Sequence, residues 1–275
     1  MTDSATDPLA EAVARLRGLA PAAAAVDRIT VGERAVLVEL RDGERVTAGV
    51  AHRPPGDPRP TDDLDLDRLL TAAASAAEPG DQRVRALGIA AANALSVPHI
   101  DWRAGDPMAL LDADVDRIAT VGLFAPAFRK FDGVEVRVIE RAPVEDPPAP
   151  DGVRTKTFPV SDTDAAMSGA DVVFVTGSAF IYGGVEAYLD AAPAAATVVV
   201  IGATASFLPE PLFDRGVDVV AGTSVAALDS VRAAVTAGAC GTDLHDAGLR
   251  KVYAAAADPA GVQLPPTDPS TATNQ

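Results

Sequence analysis

The sequence predicts an α/β protein in two parts, a small α+β domain followed by a domain built on a parallel sheet. Three observations carry this. Residues 169–186 read GADVVFVTGSAFIYGGVE. Their run Val172 to Val175 is apolar, short and rich in β-branched residues, as a strand buried on both faces of a parallel sheet must be. It closes in Thr176-Gly177-Ser178, and Gly183-Gly184 precede an apolar-periodic segment from Val185 to Ala192. From Arg117 onward, comparable strand runs alternate with helical ones. That order implies a parallel sheet with right-handed crossovers and a Rossmann-like domain. Before it, Asp42-Gly43 marks a β-hairpin inside a short strand-rich stretch.

Taken in order, residues 8–25 predict a helix with Asp7 as N-cap, Pro8 in the first turn and Gly18 near the end. Strands follow over Val26 to Val31, Ala35 to Arg41 and Arg45 to Ala51. In the second of these, Val36, Val38 and Leu40 alternate with Leu37 and Glu39, so one face is expected to be half buried. His52 to Asp63 holds four prolines and a glycine and reads as an exposed loop or lid. Helices are predicted over Leu64 to Ala77 and Asp81 to Leu95. The second is apolar nearly all round, which points to burial at a domain junction. Its polar exception is Asn93, whose amide must find a structural hydrogen bond or a ligand.

A polar segment from His99 to Asp116 leads into the second domain. Its strands are expected at Arg117 to Leu123, Val134 to Ile139, Val172 to Val175, Thr197 to Ile201 and Val217 to Ala221. Pro126 to Phe131 reads as a short helix and Ala142 to Gly152 as a proline-rich loop. Asp229 to Gly238 and Leu244 to Ala256 both look helical. The domains are therefore placed at 8–98 and 99–256, with a Pro/Ser/Thr-rich and disordered tail at 257–275.

With 48% hydrophobic but only 4% aromatic residues, the 275-residue chain must pack mainly through small aliphatic side chains. No apolar run approaches the roughly 20 residues of a membrane span. MTDSATDPLA lacks the basic and apolar regions of a signal peptide, so a cytoplasmic location is expected. Net charge is −16, and lysine is confined to Lys130, Lys156 and Lys251. Such a surface disfavours nucleic acid, which needs clustered cations. Scattered aspartates make a hydrated, self-repelling surface that stays soluble in concentrated salt. This Asp-rich, Lys-poor balance resembles proteins of salt-loving archaea. Cys240 stands alone and excludes an internal disulfide.

In open α/β sheets ligands bind beyond the carboxyl ends of the strands. Thr176-Gly177-Ser178 would sit there, with hydroxyls and backbone N–H groups suited to an anion or a polar small molecule. Glu140 lies eighteen residues after Gly122, close to where dinucleotide folds hold a ribose hydroxyl. The G-x-G-x-x-G pattern is absent, however, and Phe124 and Pro126 stand where glycines would admit a pyrophosphate. NAD is not expected, and Glu140 is left to hold a ribose or an amine, or to pair with Arg141 or Arg137. His52, His99 and His245 show no metal-ligand spacing. Cys240, five positions before His245, reads as a small buried thiol, and His52, which ends a strand beside the proline loop, as a surface histidine or one that reaches a cleft.

The ordered series RALGIAAANALS, VGLFAPAF, VIERAP, ADVVFVTGSAFIYGGVEAYL, VIGATASFLPEPLFDRGVDVVAG and GLRKVY resembles the "Putative heavy-metal chelation" family. Its members pair an enolase N-terminal-like domain with a Rossmann-like domain, and the resemblance covers roughly residues 10–255. It implies an interdomain cleft lined here by Asn93, Thr176, Gly177, Ser178 and Gly202. The chain departs from the family where Tyr182 and Gly184 replace an asparagine and a threonine.

The expected function is binding of a small polar ligand, a metal or a metal chelate in that cleft, with Glu140 and Asn93 orienting the ligand. Few soft ligands are available, so a metal would be hard and held by carboxylates, or would arrive already complexed. The alternative is an enzyme using a nucleotide-like cofactor such as S-adenosylmethionine on the Gly122/Glu140 side. A third reading is a non-catalytic oligomeric scaffold, since the oligomeric state is open and a homo-oligomer is allowed.

Overall fold

One helix, Gln82–Ser96, decides how the two parts of the chain meet. Every residue from Arg85 to Ser96 is buried, because the helix is covered on all sides. Its small side chains let neighbours come close. A methyl group added at Gly88 would lie 2.2 Å from the Leu69 carbonyl oxygen of the preceding helix, and one at Gly49 2.2 Å from the Ala90 carbonyl oxygen. Alanines and glycines at these contacts replace the bulk that an aromatic-poor chain lacks.

The computed structural model describes residues 7–57, 61, 63–257 and 259–265. The first part runs α1 (Pro8–Leu19), β1 (Ala25–Val31), β2 (Ala35–Asp42), β3 (Arg45–His52), α2 (Leu66–Ala74) and α3 (Gln82–Ser96). Asp7 caps α1 through Leu9 N–H at 2.9 Å. The helix stops six residues before its predicted end, because Ala20 precedes Pro21 and takes an extended ψ of 127°. β1, β2 and β3 form an antiparallel sheet, with Asp42 opposite Arg45 across the expected hairpin turn.

The second part runs β4 (Arg103–Ala104), β5 (Arg117–Val121), β6 (Glu135–Glu140), β7 (Arg154–Pro159), α4 (Thr163–Met167), β8 (Val172–Thr176), α5 (Ala179–Tyr182), α6 (Val185–Ala191), β9 (Thr197–Ile201), α7 (Glu210–Phe213), β10 (Val219–Val225), α8 (Leu228–Thr236), α9 (Thr242–Asp246) and β11 (Leu249–Ala255). Its eight strands lie in the order β4-β11-β10-β9-β8-β5-β6-β7. The six from β10 to β7 are parallel. Both faces are covered, as the central run predicts. Val173 and Val175 join the core shared with α3, while Val172 and Phe174 face a second cluster with Phe128 and Tyr253. Among the described residues no helix is long and apolar enough to cross a membrane.

Several expectations are corrected. Leu244 to Ala256 is not a helix: α9 ends at Asp246, Gly248 turns the chain at φ +113°, and β11 pairs antiparallel with β10. A free sheet edge next to Val252 and Tyr253 outweighs the helix propensity of the alanines. β7 has no counterpart among the predicted strands, because its exposed edge has no apolar alternation. In the tail, Gly261 and Val262 pack back: Asp112 N–H donates to the Gly261 carbonyl at 2.9 Å, and Val262 bridges to Leu111. Residues 259–265 are thus ordered against the sheet, while Asp258 and 266–275 lie outside the described residues.

β2 is buried on both faces rather than one, since α3 covers one side and α8 with α9 the other. Glu39 therefore ends up only 1% exposed. Arg232 of α8 meets it with two hydrogen bonds, each 2.7 Å. Breaking a buried pair strands a charge without its partner. We expect Arg232→Met to lower stability measurably by leaving the buried Glu39 carboxylate unpaired, and Glu39→Gln to lower it less. Urea denaturation midpoints with an unchanged slope check this.

Candidate functional site

The parallel strands read, in sequence rank, 3-2-1-4-5-6 from β7 to β10, so the winding direction reverses between β5 and β8. At such a point the turns leaving two adjacent strands diverge and open a crevice. The turn after β5 is Gly122-Leu123 and the turn after β8 is Gly177-Ser178. Gly122 sits at φ +97°, with an added methyl only 3.2 Å from Thr176 Cγ2. At Gly177 the same methyl would lie 2.8 Å from Ala205 N. Glycine here lets the turn touch the 3-10 turn Ala203–Ala205 that follows β9. Thr176 Oγ1 accepts from Ser178 N–H at 3.3 Å.

A third wall comes from the small sheet. His52, the last residue of β3, donates its backbone N–H to Thr204 Oγ1 at 3.0 Å. Its Nε2 shares a 3.0 Å hydrogen bond with the Tyr182 hydroxyl. The Arg141 guanidinium lies 3.6 Å from the centroid of the Tyr182 ring, a cation–π contact. Burial, and then the Arg141 charge, push the His52 pKa below its usual 6.5, so the ring is neutral at pH 7. Of the two positions open to His52, the surface one is not taken: it stands half-buried between two adjoining cavities.

The larger cavity, about 500 Å³, lies over β8, β9, β10 and β11 and is bounded by Gly177, Gly202 and Thr204. The smaller, about 250 Å³, lies over β5 and β6 and holds Gly122, Glu140, Arg141 and Tyr182. His52, Thr176 and Ser178 belong to both. The sequence-predicted Gly122, Glu140, Thr176, Gly177, Ser178 and Gly202 are thus gathered around one junction. Glu140 uses its carboxylate to brace the turns, accepting from Leu123 N–H at 2.7 Å and Arg141 N–H at 3.3 Å. It forms no ion pair with Arg137, which pairs with Glu135 at 2.6 Å.

Asn93 does not face this junction. It borders a separate pocket of about 190 Å³. Its Nδ2 donates to the carbonyls of Val50 at 2.9 Å, Ala203 at 3.0 Å and Thr204 at 3.4 Å. Of the two roles open to it, the structural hydrogen bond is the one its amide nitrogen fills.

Among the described residues no group of three or more His, Cys, Asp or Glu side chains is placed to hold a metal. Cys240 and His245 do border the larger cavity. Cys240 Sγ accepts from Arg34 at 3.5 Å, so the thiol is partly exposed rather than buried in apolar packing. His245 Nδ1 donates to the Leu249 carbonyl at 2.6 Å, leaving Nε2 as its open nitrogen. At the rim Asp106 receives both Lys130 and Lys251, the latter at 2.6 Å. Burial alone would raise the Asp106 pKa, but hydrogen bonds from the two lysines bring it below the usual carboxylate value. Tyr182 was noted where the chain departs from the resemblance and His52 as able to reach a cleft, but Arg141 and these lysines were not singled out from the sequence as site residues. The confinement of lysine to three positions was the available signal.

A titration tests the His52 environment. The folded chain favours the neutral ring, so its stabilising contribution is present above about pH 6.5 and is lost as pH falls through the folded midpoint. NMR should show His52 titrating below 6.5, and Arg141→Gln should move the midpoint up. A midpoint at or above 6.5 in the unsubstituted protein contradicts this.

The chain is 28% identical over 174 residues to an uncharacterized protein of Methanocaldococcus jannaschii, a match covering 61% of this chain and 64% of the relative. It therefore spans less than two thirds of that relative's length. A Pyrococcus horikoshii crystal structure of unknown function superposes with a TM-score of 0.74 at 22% identity, over 90% of this chain and 100% of the other. One from Desulfitobacterium hafniense gives 0.68 at 16%, over 90% and 98%. Both belong to the DUF364 family, and both likenesses show the fold. The model of that family, described as "Putative heavy-metal chelation", matches residues 106–254, more than half of the chain. The protein belongs to the DUF364 family.

Proposed function

We propose that the protein binds a small polar organic ligand at the junction of the two cavities, and that a heavy metal reaches it as a complex with that ligand. The observation that carries this is the meeting of three independent elements at one place. The turn after β5, the turn after β8 and the end of β3 converge where the strand order reverses. Hydroxyls of Ser178, Thr176 and Tyr182, the neutral His52 ring and the Arg141 guanidinium supply donors and acceptors of both kinds.

The family description supplies the word chelation. Metal held by protein donors alone needs a fuller set than Cys240 and His245. A metal that brings organic donors with it needs only one or two from the chain. The cofactor-enzyme alternative turns on Glu140, whose carboxylate is engaged with the Leu123 and Arg141 amides. A cytoplasmic site for such traffic is part of the proposal.

The test uses untagged full-length protein, native mass spectrometry and elemental analysis. A stoichiometric adduct that contains a small molecule and a heavy metal is expected. Ser178→Leu, which fills the junction without changing the backbone, should remove it with the circular dichroism spectrum unchanged. An adduct retained by Ser178→Leu, or a protein free of any adduct at every growth-metal concentration tried, would contradict the reading.

A further inference from the structure

The charge around the larger cavity runs opposite to that of the chain. Overall, 39 acidic residues outnumber 23 lysines and arginines. Around the larger cavity the formal charges are Arg34, Lys130 and Lys251 against Asp106 alone. The smaller cavity adds Arg141 against Glu140. Two of the three lysines in the sequence are at this one rim, delivered by separate elements. Lys130 ends the 3-10 helix Ala125–Lys130 and Lys251 lies in β11. Asp106 joins the two ammonium groups and neutralises one of the charges. Neither Arg34 nor Arg141 has a carboxylate within ion-pair distance among the described residues.

Low-dielectric walls concentrate such a field inside a cavity. A hydrated cation entering there meets net positive charge, whereas a carboxylate meets point charges from lysine and a fork of donors from arginine. The acidic exterior adds a filter, since a weakly charged anion gains only where this cationic patch lies. Resting on the ligand-binding reading above, we propose that the ligand is a multiply charged organic carboxylate, alone or wrapped around its metal, and that the cavity discriminates against the bare metal ion. Lys130, Lys251 and Arg34 set its charge preference in the larger cavity, and Arg141 anchors one acid group in the smaller.

Citrate and its neutral trimethyl ester are matched probes for calorimetric titration of the full chain. Citrate is expected to bind, the ester to bind at least about tenfold more weakly, and citrate affinity to fall as salt is added. Arg34→Gln, at an exposed position, should weaken citrate about tenfold with the melting temperature unchanged. The triple change Lys130→Met, Lys251→Met and Asp106→Asn removes the rim charges without stranding the carboxylate, and should weaken citrate further. Equal binding of acid and ester, citrate affinity indifferent to both sets of substitutions, or no binding of citrate overturns the charge assignment. A native adduct lost in Ser178→Leu whose mass identifies a neutral molecule overturns it too, while leaving the cavity itself as the binding site.

Discussion

The amide of Asn93 is the interaction on which the arrangement of the site depends. One nitrogen inside a largely apolar helix donates to carbonyls of β3 and of the turn after β9. It has left water to do so, and its two hydrogens are repaid by backbone acceptors that would themselves be buried without partners. The consequence is positional. Val50 belongs to the small sheet and Ala203-Thr204 to the turn that leaves β9 of the large one, so the amide fixes the small sheet against the end of the large one. His52, two residues beyond Val50, then meets Thr204 Oγ1 and Tyr182. That tie and the His52 contacts together set the distance of the third wall from the other two.

A second tie secures the remaining side. Arg85, also on α3 and also buried, donates to the Phe180 carbonyl at 2.6 Å and to Asp7 at 3.0 Å. Asp7 in turn caps α1. The short helix that carries Tyr182 is therefore anchored to the N-terminal helix through α3. Two of the polar side chains of a largely apolar helix thus hold the two sides of one crevice. Together they explain why α3 carries polar groups at positions where size alone would favour alanine.

How much of this was legible in the sequence follows from the range of the interactions. The run Val172 to Val175, its T-G-S turn and the spacing from Gly122 to Glu140 are local patterns, and they pointed to the parallel strands and to the turns at their carboxyl ends; the strand order that makes the reversal point came only with the fold. The resemblance of ordered small-residue motifs then gave the family. What stayed hidden depends on distant partners. β11 reads as a helix until β10 is there to pair with it. His52 and Tyr182 are 130 residues apart, so no window of sequence joins them, and Asn93 could be seen to need partners without showing which. Lys130 and Lys251 were conspicuous as two of three lysines, but only the fold brings both to Asp106. The same holds for Glu39 and Arg232, whose pairing depends on α8 covering a face of β2 that the alternation left exposed.

The central claim is that the junction under Ser178 and His52 is where this chain holds its ligand. A crystal structure of untagged protein as purified, with anomalous diffraction measured across metal absorption edges, tests it most directly. The account predicts density for an organic acid in contact with Ser178 and the rim lysines, with an anomalous peak inside that density rather than on protein donors alone. A metal coordinated only by carboxylates on the acidic surface, with ordered water filling both cavities, would contradict it.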